Sequence, residues 1–204
     1  VTAAARGGET DGKPTISAFG GGIADAIAVE RENVGSAIDQ HPESAVLATV
    51  LSPLGLAMAE RTNIVAELHA DIDLGNKKLG ELTERTRDSL HTALHDGADG
   101  VFYVLDGAYP GTTTPMEYGG HFLEIDRHLL AEVQDARFNV LYVRGEQDPY
   151  LDFVSDLPAH AFAWDPRSGV RAEQVRQMRH GALATADDDG EFRLIVGAAA
   201  EVAG

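Results

Sequence analysis

Three mainly apolar runs, Val101-Phe102-Tyr103-Val104-Leu105, Phe138-Asn139-Val140-Leu141-Tyr142-Val143 and Ala161-Phe162-Ala163-Trp164, are each followed by a short polar stretch and then by a helical pattern. A strand apolar on both faces is buried on both. Such strands alternating with helices predict an α/β fold, a parallel sheet covered on both faces by its own crossover helices. In that architecture ligands sit where strands end. The ends here read Asp106-Gly107-Ala108-Tyr109, Arg144-Gly145-Glu146 and Trp164-Asp165-Pro166-Arg167. Ionisable groups from three strands are therefore expected to converge on one cleft.

Residues 1–13 lack apolar periodicity and are rich in Gly, so they read as a flexible tail, with a partial barrel domain over 14–204. Thr15 to Phe19 is a strand candidate, followed by Gly20-Gly21-Gly22 and a helical stretch to about Asp39. A second strand, Ala45 to Leu51, ends at Ser52-Pro53, where proline cannot donate to a ladder. The helix beyond is irregular from Met58 to Leu68, and Asp71 to Lys78 reads as a loop. From Leu79 to Asp96 a helix places Leu79, Leu82, Thr86, Leu90, Ala93 and Leu94 on one face, with Gly97 as its stop. Thr114-Pro115-Met116-Glu117 is a capping box with proline at the first helical position, and Tyr118, Phe122, Ile125, Leu129 and Val133 follow at helical spacing. Asp148-Pro149 opens a short third helix, and Ser168 a fourth that stops at Gly181.

After Gly181 the pattern changes. Ala182 to Ala186 and Phe192 to Val196 flank an acidic turn, Asp187-Asp188-Asp189-Gly190-Glu191. A calcium loop starting at Thr185 would need a bidentate Glu where Val196 stands, so an Asp-Gly hairpin is the better reading. Five or six strand candidates fall short of the eight, spread over about 250 residues, that close a TIM barrel. Two open edges are thus expected, in a fragment of a longer barrel, a barrel completed by a partner, or an open sheet of other topology.

Composition narrows the chemistry. The 204-residue chain, 44% apolar, has a sizeable core, and no apolar run reaches membrane-spanning length. With no signal-like N-terminus, a cytoplasmic location is expected. The absence of cysteine removes disulfides, thiolate catalysis and thiolate metal ligation from this chain. A net charge of -17 argues against nucleic-acid or anionic-membrane partners, which need clustered Lys and Arg. The 13 Arg, 3 Lys and 18 Asp fit either adaptation to salt or a high-GC genome with a solvated acidic surface.

The stretch from about Ala45 to Gly181 resembles the uroporphyrinogen decarboxylase superfamily, closest in texture to its uncharacterised branch. The likeness rests on Ala48-Thr49-Val50-Leu51-Ser52-Pro53-Leu54, Gly97-Ala98-Asp99-Gly100-Val101-Phe102-Tyr103, Thr114-Pro115-Met116-Glu117-Tyr118, Val143-Arg144-Gly145-Glu146 and Ala163-Trp164-Asp165. Their order and spacing match the C-terminal two-thirds of such a chain. The resemblance implies a (β/α)8 barrel and cofactor-free, metal-free carboxy-lyase chemistry on a tetrapyrrole or other small carboxylate, by protonating an electron-rich ring and stabilising the cation. Several family features differ. Where the decarboxylase has Phe-Asp-Ser-Trp-Ala-Gly this chain reads Val104-Leu105-Asp106-Gly107-Ala108-Tyr109, and an added carboxylate repels a polycarboxylate substrate unless protonated or paired. The substrate-contacting tyrosine after the Pro-Trp-Thr-Leu-Ala-Thr motif is replaced at Ala59, and the arginine pair, the pyrrole-binding aspartate and the Gly-His-Gly have no counterpart here. Methyltransferases of the superfamily use thiolate-bound zinc, which this chain cannot provide.

Asp106 and Arg144 are the catalytic candidates: an arginine at a strand end forks onto a carboxylate, and a neighbouring Asp binds a cationic nitrogen or moves a proton. The bland reading of the same pair is a salt bridge closing the barrel mouth. Ser52, Tyr109, Glu146, Trp164 and Asp165 are candidate substrate contacts, with Tyr109 and Trp164 as walls for a flat ligand. His91 and His95 share a helix face with Asp88, a spacing that suits a metal pair or a solvated surface. Gly20-Gly21-Gly22 lacks the last glycine of a dinucleotide loop, since Asp25 stands there. A non-catalytic ligand-binding or assembly subunit and a methyl-transfer relative without thiolate zinc are the alternatives to the decarboxylase-like reading. A homodimer is a possible assembly.

Overall fold

Six strands pair in parallel in the order in which the chain makes them: β3 (Ile23–Glu30), β4 (Ser44–Leu51), β5 (Gly100–Leu105), β6 (Val140–Val143), β7 (Ala161–Trp164) and β8 (Ala182–Ala186). The computed structural model describes residues 3–4, 15–19, 23–186 and 191–195, with side chains over 26–184. Sequential parallel order with helical crossovers is the arc of a TIM-type barrel. β2 (Thr15–Phe19) runs antiparallel to β3, β9 (Glu191–Ile195) antiparallel to β8, and β1 (Ala3–Ala4) antiparallel to β9. The sheet curls until β2 passes within 8 Å of both β9 and β1, Cα to Cα. Among the described residues the sheet ends, as expected, in two edge strands, β1 and β2, with antiparallel segments extending the parallel arc beyond β8 and β3.

The crossovers are α1 (Val34–Gln40), the group α2 (Pro53–Ala59), α3 (Ile64–Ala70) and α4 (Ile72–His95), then α5 (Pro115–Glu117), α6 (Leu123–Glu132), α7 (Leu151–Val154) and α8 (Ala172–Met178). The capping box forms: Thr114 accepts from the Glu117 N–H while Glu117 accepts from the Thr114 N–H. A π-helical turn, Tyr118–Phe122, joins α5 to α6. No helix among the described residues is long and apolar enough to cross a membrane.

Three local expectations are overturned. The helix expected from residue 23 is a strand to Glu30, because Ala26 to Val29 all pair with β4, Ala26 and Ile27 also pair with β2, and all four are buried. Tertiary pairing outweighs the alanine content. Asp71 to Lys78 is helix, not loop: Asp71 caps α4 by accepting from the Asp73 and Leu74 N–H groups. Gly75 within it is needed for packing, since a Cβ there would lie 2.6 Å from the Leu68 Cα. The fourth helix starts at Ala172 rather than Ser168, which closes a 3-10 turn. Strands β8 and β9 form the expected hairpin with Ala186 opposite Phe192, while its turn at 187–190, the glycine run at 20–22 and most of the expected tail lie outside the described residues.

Strand alternation divides the core. Phe102, Val104, Val140, Ala161 and Ala163 pack only with other strand residues and Phe138, so they face the barrel interior. Their neighbours Val101, Tyr103, Leu141, Phe162 and Trp164 pack with Leu82, Tyr118 and Leu129 of the crossovers. This parity aims the strand ends: Asp106, Arg144 and Asp165 each continue the inward-facing series of their strand.

Candidate functional site

The last rungs of the ladder hold the strand-end residues in place. Ser52 N–H donates to the Val104 carbonyl, Arg144 N–H to Leu105 and Asp165 N–H to Val143, each at 2.9 Å. The loop after β5 turns at Gly107, whose φ of 90° only glycine adopts readily, and where a Cβ would meet Leu54 Cδ2 at 2.5 Å. Thr113 Oγ1 donates back to the Gly107 carbonyl at 2.7 Å, and Tyr150 Oη to the Thr113 carbonyl at 2.6 Å.

At this end of the barrel a cleft of about 290 Å³ is lined by Tyr109, Pro110, Arg144, Gly145, Glu146, Gln147, Asp165 and Arg167. Arg144 Nη1 donates to Asp106 Oδ2 at 3.1 Å, and the guanidinium is half-exposed while Asp106 is buried. The other Asp106 oxygen accepts the Gly107 N–H at 2.8 Å. Asp165, wholly buried, takes a two-pronged grip from Arg167, Nε to Oδ1 at 3.0 Å and Nη2 to Oδ2 at 2.8 Å. Arg167 also pairs with Glu146. Burial pushes the Asp165 carboxyl up, but the Arg167 side-chain and backbone hydrogen bonds outweigh it and hold the group below the usual carboxylate range.

Tyr109 lines the cleft, and Tyr142 lies in the barrel interior. Burial, helped by the Asp106 carboxylate, raises Tyr109, whose ring edge would lie 3.0 Å from a Cβ at Gly145. Tyr142 faces the interior, stacked on Phe102 at 5.6 Å and 23°. Burial and then the Asp165 carboxylate push it up to about 12, so both phenols keep their protons at neutral pH.

Of the residues expected from sequence, Asp106, Arg144, Tyr109, Glu146 and Asp165 gather here. Ser52 and Trp164 are corrected, because both are wholly buried away from the cleft. Ser52 Oγ caps α2 at the Gly55 N–H, 3.1 Å, and accepts the Asp106 N–H at 3.4 Å, so it positions the β5 end. Trp164 lies on the helix-facing side of β7 and donates Nε1 to the Val170 carbonyl at 2.9 Å. Sequence reasoning missed Arg167 and Tyr142. Tyr142 was legible by parity, two residues before Arg144 on the same face. His91 pairs with Glu132 at 3.0 Å on an exposed helix face, and no cluster of three metal-ligating side chains occurs among the described residues.

No protein-family model and no curated protein matches the chain. Among solved structures, a methyltransferase from Methanosarcina mazei superposes with a TM-score of 0.66 at 15% identity, over 76% of this chain and 47% of that one. The chain thus spans about half the length of this structural neighbour. Likeness at that identity carries the fold, an α/β chain with a partial TIM-type barrel.

Proposed function

We propose that the cleft binds a small carboxylate-bearing substrate and performs carboxy-lyase chemistry of the kind the uroporphyrinogen decarboxylase superfamily implies. The observation that carries this reading is the inequality of the two arginines. Arg167 is occupied by Asp165 and Glu146, whereas Arg144 makes one bond to Asp106 and turns half its surface to the cleft. A guanidinium so placed can fork onto a substrate carboxylate. Tyr109, kept protonated by its surroundings, offers a hydrogen-bond donor within the same cleft, and Asp106 stabilises positive charge developing beside it. A cleft of about 290 Å³ stands at the small end of ligand sites, which run from roughly 300 to 1,000 Å³. That favours a small carboxylate over a tetrapyrrole.

Carbon dioxide release by the purified protein, from uroporphyrinogen and from a panel of small carboxylates, tests the proposal. Release that depends on Arg144 supports it; carboxylate binding without release favours the non-catalytic binding subunit instead. The description of the structural neighbour favours a second reading, methyl transfer, which in this chain would proceed without thiolate-bound zinc.

A further inference from the structure

The charges around the cleft alternate in sign: Asp106 on Arg144, then Asp165 on Arg167 on Glu146. Three carboxylates therefore face two guanidiniums, while Gln147 and Tyr109 contribute neutral polar groups. A plain carboxylate arriving at Arg144 adds a fourth negative group without a cation to offset it, in a site with low-dielectric walls where such an imbalance is felt strongly. A dicarboxylate worsens the balance. A ligand that brings its own cation restores it. Glu146 offers the place for that cation. Glu146 lies on the cleft wall two residues beyond Arg144, is 60% exposed, and has one oxygen engaged by Arg167.

We propose that the cleft takes a small zwitterion, its carboxylate on Arg144 and its cationic nitrogen on the Glu146 carboxylate. This rests on the carboxylate reading above and narrows it to small amino-carboxylates. Arg144 supplies grip, and Glu146 supplies selectivity against simple acids.

Calorimetric titration of the purified chain at neutral pH and low salt tests this, with β-alanine, γ-aminobutyrate and ε-aminocaproate set against propionate, butyrate, caproate, succinate and glutarate. The best amino-carboxylate should bind at least about tenfold more tightly than any simple acid. Glu146→Gln should remove that preference and leave carboxylate binding, while Arg144→Gln should abolish both. Both side chains are largely exposed, and far-ultraviolet dichroism checks that the variants fold. Alkanoates or dicarboxylates binding as well as the amino-carboxylates would overturn the zwitterion inference and leave the carboxylate reading standing. A preference that survives Glu146→Gln overturns the assignment of Glu146. Failure of every carboxylate to bind the parent protein overturns both readings together.

Discussion

Asp106 and Arg144, separated by 38 positions in the chain, meet at 3.1 Å because β5 and β6 are adjacent parallel strands in register and both residues continue the interior-facing series. The pair is asymmetric, a buried carboxylate under a half-exposed guanidinium. A partner so exposed contributes at most about 1 kcal/mol to folding. Arg144→Gln should therefore shift the urea midpoint little while removing carboxylate binding. A loss of stability well above that figure, with binding retained, would make the pair a clasp of the barrel mouth.

A second carboxylate behaves differently. Asp126 is buried on the helix-facing side, accepting Tyr103 Oη at 2.6 Å and Tyr118 Oη at 2.7 Å. Burial raises it from 3.8 to about 6, against the lowering effect of the two phenol hydrogen bonds. Because the folded value lies above the unfolded one, its contribution is fully present below pH 3.8 and is lost as pH rises through about 6, worth up to about 3 kcal/mol. Asp126→Asn should flatten that part of the stability profile between pH 4 and pH 7.5 in urea titrations. An unchanged profile would remove Asp126 as its source.

Gly75 offers a test of packing against propensity. Alanine is the better helix former by about 1 kcal/mol, yet its Cβ would press on the Leu68 backbone of α3 at 2.6 Å. Gly75→Ala is expected to destabilise by about 1 to 3 kcal/mol, read from the denaturation midpoint. Stabilisation would mean that α3 and α4 do not approach so closely.

Arg179 pins the segment that leads into β7. It donates to the carbonyls of Ser155, Leu157 and Ala159 at 2.6, 2.9 and 2.7 Å, and its guanidinium lies 5.2 Å from the Phe162 ring centroid. Lysine cannot reproduce that planar fork, so Arg179→Lys should cost about 1 to 3 kcal/mol. Ligand affinity at the far mouth should be unchanged, and thermal denaturation with and without ligand separates the two effects.

The parallel strands were legible because continuous apolar runs ending in charged residues leave little choice of architecture, and the site residues at 106, 144 and 165 followed from those ends. What stayed hidden depended on partners distant in sequence. Ile23 to Glu30 is alanine-rich and becomes a strand only because β2 and β4 flank it. The start of α4 looks loop-like through Asp71, Asp73, Gly75 and Asn76, but the first is a cap and Gly75 a point of close approach. Ser52 and Trp164 were misplaced by a single step of alternation, which turns a side chain from the cleft to the helices. Arg167 was overlooked because its fork onto Asp165 is a short-range contact that only the turn after β7 creates.

The most direct test is nuclear magnetic resonance of the arginine side chains during titration with a small amino-carboxylate. The Arg144 Nε–H signal should shift most, with Arg167 following and Arg179, at the other end of the barrel, unmoved. Saturable binding that leaves Arg144 unshifted, or that shifts Arg179 instead, would contradict the assignment of this cleft as the ligand site.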